Sequence, residues 1–173
     1  MKIILLGYMG SGKSSVGKVL SEAINHTFLD LDLEIEKNES SSITELFQKK
    51  GEIYFRKKER EVLESILKDE NDFVLSLGGG TPCFGDTMKF INKQEGVLSV
   101  YLKASNSALT DRLYTEVDQR PLIKHLSSKE DLNDYIRKHL FERGFYYNQA
   151  SQMVSVDDKT IKDIVSEIVV KLF

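Results

Sequence analysis

The stretch Ile3-Ile4-Leu5-Leu6-Gly7-Tyr8-Met9-Gly10-Ser11-Gly12-Lys13-Ser14 decides the fold. Four apolar residues end at a glycine, as a buried parallel strand does. A glycine-rich loop follows, and then a helical period opens at Lys13 with apolar positions at Val16, Val19, Leu20 and Ala23. Strand, loop and helix in that order are the context that gives the pattern G-x-x-x-x-G-K-[ST] its meaning. The glycines let backbone wrap a phosphate with N–H groups pointing inward, and the helix dipole favours the same anion. The spacing assigns Gly10, Ser11, Gly12 and Ser15 to the phosphate cradle. Lys13 reaches the β- and γ-phosphates, and the Ser14 hydroxyl faces Mg²⁺. The loop alone does not establish phosphoryl transfer, since regulators and motors share it.

Outward from this stretch, strand-like runs alternate with helical periods. Strands are expected at Thr27 to Asp32, Phe73 to Leu77, Val97 to Leu102 and Met153 to Val156. Helices are expected at Ser42 to Lys50, Phe55 to Leu67, Ser105 to Leu113, Leu132 to Tyr147 and Ile161 to Leu172. Such alternation predicts one α/β domain, a parallel sheet covered on both faces. The stretch 114–128 around Arg120-Pro121 is irregular, polar and charged. The 173 residues suit a single domain, and a formal net charge of -3 offers no broad basic field for nucleic acid. Cys83 stands alone, so no internal disulfide forms, which fits a reducing cytoplasm and a small inert side chain. The first residues superficially resemble a secretion signal, but the apolar run is too short and glycine breaks it. No stretch approaches the roughly 20 apolar residues that cross a bilayer.

Phe28-Leu29-Asp30-Leu31-Asp32-Leu33-Glu34 alternates apolar and acidic residues. Read as a strand, it puts Asp30 and Asp32 on one face, at the carboxyl end where α/β sheets bind ligands. One acid can hold Mg²⁺ and the other can accept the proton of an attacking hydroxyl. The alternative is a solvated strand end running into a helix cap. Arg56 is followed at i+3 by Glu59, which can fix its guanidinium fork for a carboxylate. Gly78-Gly79-Gly80 ends the third strand, where a ligand can press against bare backbone. Arg120 lies where a closing lid would carry a charge-stabilising arginine. His26, His125 and His139 show no metal-ligand spacing and read as ordinary polar positions.

The ordered set resembles shikimate kinase nearly end to end. It comprises the Gly-Tyr-Met-Gly-Ser-Gly-Lys-Ser loop, Asp30-Leu31-Asp32, Phe55-Arg56, Gly78-Gly79-Gly80, Arg120-Pro121-Leu122, and Arg143 four residues before Tyr147. The resemblance implies a three-layer α/β/α P-loop fold of the nucleoside-monophosphate-kinase type, with a five-stranded parallel sheet ordered 2-3-1-4-5. It implies substrate-binding helices at about 32–62 and a lid at about 113–127. It implies transfer of the γ-phosphoryl of MgATP to the 3-hydroxyl of shikimate by a cytoplasmic monomer, with no nucleic-acid or membrane partner. Asp30 would then help Ser14 hold Mg²⁺, and Asp32 would bind shikimate hydroxyls and act as base. Arg56 and Arg143 would clamp the carboxylate, and Gly79 with Gly78 and Gly80 would approach the ring. Arg120 would close over ATP, and Arg112 would pack near adenine. The rival readings are another small-molecule kinase, such as a gluconate or nucleotide kinase, a GTPase-like switch suggested by Asn92-Lys93-Gln94-Glu95, and an inactive regulatory homologue.

Overall fold

A computed structural model describes residues 1–172. The first strand, β1 (Lys2–Leu6), is buried from Ile3 onward and occupies the middle of a five-stranded, fully parallel sheet. Its neighbours are β3 (Phe73–Ser76) on one side and β4 (Val97–Lys103) on the other. The sheet is completed by β2 (Thr27–Asp30) beside β3 and β5 (Gln152–Ser155) beside β4, giving the order 2-3-1-4-5 expected above. The order reverses direction around β1, and the crevice outside the carboxyl ends there is where a doubly wound sheet binds ligands. Leu6 and Ser76 end their strands at that edge.

Helices α1 (Lys13–Ala23) and α7 (Ile161–Leu172) pack against each other and bury Val16, Leu20, Ile164, Val165 and Ile168. The single stripe of α7 follows from apolar residues at helical spacing, and the matching expectation from sequence holds. Helix α5 (Asn106–Tyr114) is capped by Ser105, whose hydroxyl accepts the Ala108 N–H at 3.1 Å. It packs on α6 (Lys129–Tyr147), whose N-terminus is capped by Ser128. A short helix α4 (Thr87–Asn92) and a 3₁₀ turn at Thr81–Cys83 lie between β3 and β4 and escaped the sequence reading. Both are too short to show a helical period.

One expectation needs correction. The second strand does not run to Asp32; it stops at Asp30, and Leu31 opens α2 (Leu31–Glu39). The cause is Asp30 itself. Its Oδ1 accepts the backbone N–H of Asp32 at 3.1 Å and of Leu33 at 3.4 Å, a side-chain N-cap that favours helix from the next residue on. The acids therefore do not share a strand face; one ends the strand and the other sits in the first turn of the helix. The helices expected at Ser42 to Lys50 and Phe55 to Leu67 are both present, as two helical segments that meet at a kink within α3 (Ile43–Lys68), the first started by a capping box between Ser42 and Glu45. Gly51 breaks the helical path inside it, with φ 80° and ψ 172°. A side chain there would be strained in the left-handed region, so glycine sets the kink.

Candidate active site

The P-loop connects β1 to α1 over the sheet edge. Gly12 adopts φ 91°, ψ 15° as the helix cap, and its carbonyl accepts the Val16 N–H at 2.9 Å. Gly7 is required by crowding, since a Cβ there would sit 2.7 Å from the Leu102 carbonyl oxygen. The Lys13 ammonium donates to the carbonyls of Gly7 at 2.9 Å and Tyr8 at 3.0 Å. Burial lowers the Lys13 pKa to about 8, against the pull of Asp32 and Asp30. A phosphate beside it would raise that pKa again and hold the charge. Ser11 is buried, with no hydrogen-bond partner for its hydroxyl. Arg112 donates to the Gly10 carbonyl at 3.1 Å and so braces the loop from α5.

A cavity of about 360 Å³ opens on this loop. On one side it is lined by Gly10, Gly12, Lys13, Ser14 and Ser15. Asp30, Asp32, Gly78 and Gly79 line the other, and Glu116 and Arg120 lie at its mouth. The Ser14 hydroxyl donates to Asp30 Oδ2 at 3.2 Å, the oxygen that does not cap α2. These two hard oxygen donors fit Mg²⁺, which takes few protein ligands and completes its shell with phosphate and water. No group of three or more His, Cys, Asp or Glu able to hold a metal exists among the described residues.

Asp32 faces the same cavity. Burial, then the like charges of Asp30 and Glu59, push its pKa up to about 6 against the attraction of Lys13. A carboxyl held there is ionised at neutral pH yet is a stronger base than an ordinary aspartate. Arg120 is held by Glu116 four residues earlier, at 2.6 Å from Nε and 2.5 Å from Nη2. The stretch around it contains one 3₁₀ turn, Val117–Gln119, and is pinned by the buried Ile123.

The glycine strip after β3 joins the remaining groups. Arg56 Nη1 donates to Glu59 Oε2 at 2.8 Å, and the other Glu59 oxygen accepts from the Thr81 hydroxyl at 2.6 Å. Glu59 is only 3% exposed, so Arg56 is fixed by a buried, fully used carboxylate. A Cβ on Gly80 would lie 2.5 Å from Arg56 Nη2, one on Gly78 3.2 Å from Asp32 Oδ1, and one on Gly79 3.8 Å from Arg143 Nη1. Gly78, Gly79 and Gly80 thus form a bare floor beside Asp32, Arg143 and Arg56 in turn. Tyr147 donates to the Gly79 carbonyl at 2.6 Å and fixes that floor to α6. Burial pushes the Cys83 thiol up to about 11, so it is inert, as expected from a lone cysteine.

The structure therefore brings together every residue singled out in the sequence except Arg112, which braces the loop from α5, and Ser11, which is buried. Sequence reasoning missed Thr81 and Glu116, whose partners are too ordinary in composition to signal a role. It also passed over His139, which bonds Tyr8 across the fold at 2.9 Å.

Comparison with known proteins shows the family. A family model for shikimate kinase matches residues 9–173. A curated shikimate kinase of Flavobacterium psychrophilum is 47% identical over 167 residues, covering 96% of each chain. The crystal structure of shikimate kinase from Bacteroides thetaiotaomicron superposes with a TM-score of 0.90 at 35% identity, covering 99% of this chain and 98% of the other. Shikimate kinase from Acinetobacter baumannii in complex with shikimate gives 0.86 at 29% identity, covering 99% and 92%. With a family model matched over nearly the whole chain, a curated relative at 47% identity and a solved structure of the same fold, the chain belongs to the shikimate kinase family.

Proposed function

We propose that this chain transfers the γ-phosphoryl group of ATP to the 3-hydroxyl of shikimate, with the residue roles that follow. The observation that carries this reading is the continuity of one cavity from Lys13 and Ser14 to Asp32 and the glycine floor. Donor and acceptor then meet over Asp32.

Little covalent work falls to the protein in such a transfer; positioning and charge neutralisation dominate. Gly10, Ser11, Gly12, Lys13, Ser14 and Ser15 hold the triphosphate. Ser14 and Asp30 would hold Mg²⁺, which would supply neutralisation of the phosphate charge. Arg56 and Arg143 bind the acceptor carboxylate, while Gly78, Gly79 and Gly80 let the ring lie against backbone. Asp32 binds the acceptor hydroxyl and takes its proton as the oxygen bonds to phosphorus. Lys13 and Arg120 stabilise the negative oxygens of the transferring group. Arg112, already bound to the P-loop, stands on the nucleotide side and packs near adenine. Residues of about 32–62 form the acceptor-side helices, and those of about 113–127 form a lid that excludes competing water.

The chain supplies every one of these groups itself, which supports action as a monomer. Its lone, inert cysteine suits the cytoplasm. Among the described residues no helix is long and apolar enough to cross a membrane. Titrating shikimate against ATP turnover, with ADP release as the readout, tests the reading. Rapid shikimate-dependent release is expected, with gluconate, nucleotides and GTP inactive. ATP consumption that ignores shikimate overturns it.

A further inference from the structure

The second P-loop residue, Tyr8, sends its side chain away from the phosphate cradle. It is 1% exposed, and its hydroxyl is hydrogen-bonded to His139 Nδ1 at 2.9 Å. The two rings meet edge to face, with centroids 5.9 Å apart. The Arg143 guanidinium lies over the Tyr8 ring, 5.4 Å from its centroid. A cation over an aromatic face is held by the ring quadrupole, and the attraction grows when water is excluded. His139 is itself backed by Tyr135 at 4.2 Å, whose other neighbour is His125 at 6.0 Å. Arg143 and His139 are four residues apart on α6, so one helical face presents both to the same tyrosine.

Among the described residues Arg143 makes no ion pair comparable to the Arg56–Glu59 bond. What holds it is the Tyr8 ring beneath it; the neighbouring Tyr147 hydroxyl donates to the Gly79 carbonyl instead. The ring in turn cannot swing, because its hydroxyl is tied to His139. A tyrosine rather than a phenylalanine is needed for that tie, and a histidine, asparagine or similar group is needed to receive it.

We propose that Tyr8 and His139 are positioning residues for the acceptor carboxylate, acting through the Arg143 guanidinium. This rests on the reading of Arg143 as a carboxylate ligand given above. It makes a residue of the nucleotide loop a determinant of acceptor affinity, with no contact of its own to the acceptor. The two clamp arginines are then set by different means: Arg56 by a buried carboxylate, Arg143 by an aromatic platform.

The test compares KM for shikimate with KM for ATP in the full-length protein and in Tyr8→Phe, His139→Leu, His139→Asn, Arg143→Ala and the Tyr8→Phe/His139→Leu pair. Losing one buried hydrogen bond should raise the shikimate KM about fivefold in Tyr8→Phe and in His139→Leu, with the ATP KM unmoved. The double variant should show no further rise, because both changes break one bond. His139→Asn should recover most of the affinity, since its side-chain amide reaches the place of Nδ1. A shikimate KM in Tyr8→Phe equal to that of the parent overturns the proposal, as does an ATP KM that rises in step with it. If His139→Leu does not fold, Tyr8→Phe, which keeps the ring, decides alone. A shikimate KM unmoved by Arg143→Ala overturns the underlying clamp reading instead, and so separates the two failures.

Discussion

Replacing Asp32 with asparagine should make the protein more stable and nearly inactive at once. The structure holds the Asp32 carboxyl near pKa 6, from an ordinary 3.8, through burial and the charges of Asp30 and Glu59. The sign follows from linkage. The folded pKa exceeds the unfolded one, so the folded state binds the proton more tightly and its ionised form is penalised. The penalty grows as pH rises from about 4 to 6 and is complete above that. A shift of about two units at 1.36 kcal/mol each amounts to about 3 kcal/mol at pH 8, and roughly half of that at pH 5. Asparagine removes the charge and keeps the shape, so the variant should gain most of this amount. For a domain of this size the gain corresponds to a rise in Tm of about 6–12 °C at pH 8. Turnover should fall by about 10²–10⁴, the worth of a general base, while ATP still binds. Thermal unfolding of both proteins at pH 5 and pH 8, beside a coupled ADP assay, measures all of this. A Tm at pH 8 equal to or below that of the parent would refute the electrostatic argument. Unchanged turnover would refute the base assignment.

Three further outcomes are expected. Gly80→Ala drives a methyl group to 2.5 Å from Arg56 Nη2, the free end of a flexible side chain; the guanidinium should swing away, raising the shikimate KM about tenfold with little change in Tm. Steady-state kinetics and a melting curve check this together, and an unchanged KM removes Arg56 from the clamp. Because Asp32 must be ionised to accept a proton, the pH profile of kcat/KM should fall on the acid side near pH 6. In Asp32→Glu that limb should move or disappear, and an acid limb near pH 4 in the parent would contradict the raised pKa. Stripping divalent cations with EDTA should abolish turnover and added Mg²⁺ should restore it, whereas full activity without any divalent ion would exclude Ser14 and Asp30 as metal ligands.

The phosphate site was legible because all its parts are contiguous: an apolar strand, glycines at fixed places and a helix beginning at Lys13. Sheet order came with the family resemblance, since alternation alone yields strands without their sequence in space. The stretch 28–34 misled for a physical reason. Leu29, Leu31 and Leu33 alternate as in a strand, yet Leu33 is 54% exposed and buried Leu31 and Ile35 stand at helical spacing. What breaks the tie is a side-chain bond from Asp30, and periodicity does not register such bonds. Arg56 was readable through its local partner Glu59. The approach of Arg56 to Gly80 and of Tyr8 to His139 depends on distant segments meeting, and neither leaves a mark in either segment alone. His139 looked ordinary for that reason.

The two oxygens of Asp30 carry different loads. One starts the helix that bears Asp32; the other touches the Ser14 hydroxyl, on the nucleotide side. A carboxylate is a stiff planar fork, so its two prongs turn together. Drawing one prong toward a cation tilts the other, and with it the first turn of α2. The acid proposed to meet the donor is therefore geared to the acid proposed to meet the acceptor, with one side-chain torsion as the gear. An amide in its place could keep the helix start or serve the cation, but its nitrogen would spoil whichever task it faced. Few positions in the molecule are bound so tightly to one chemical group.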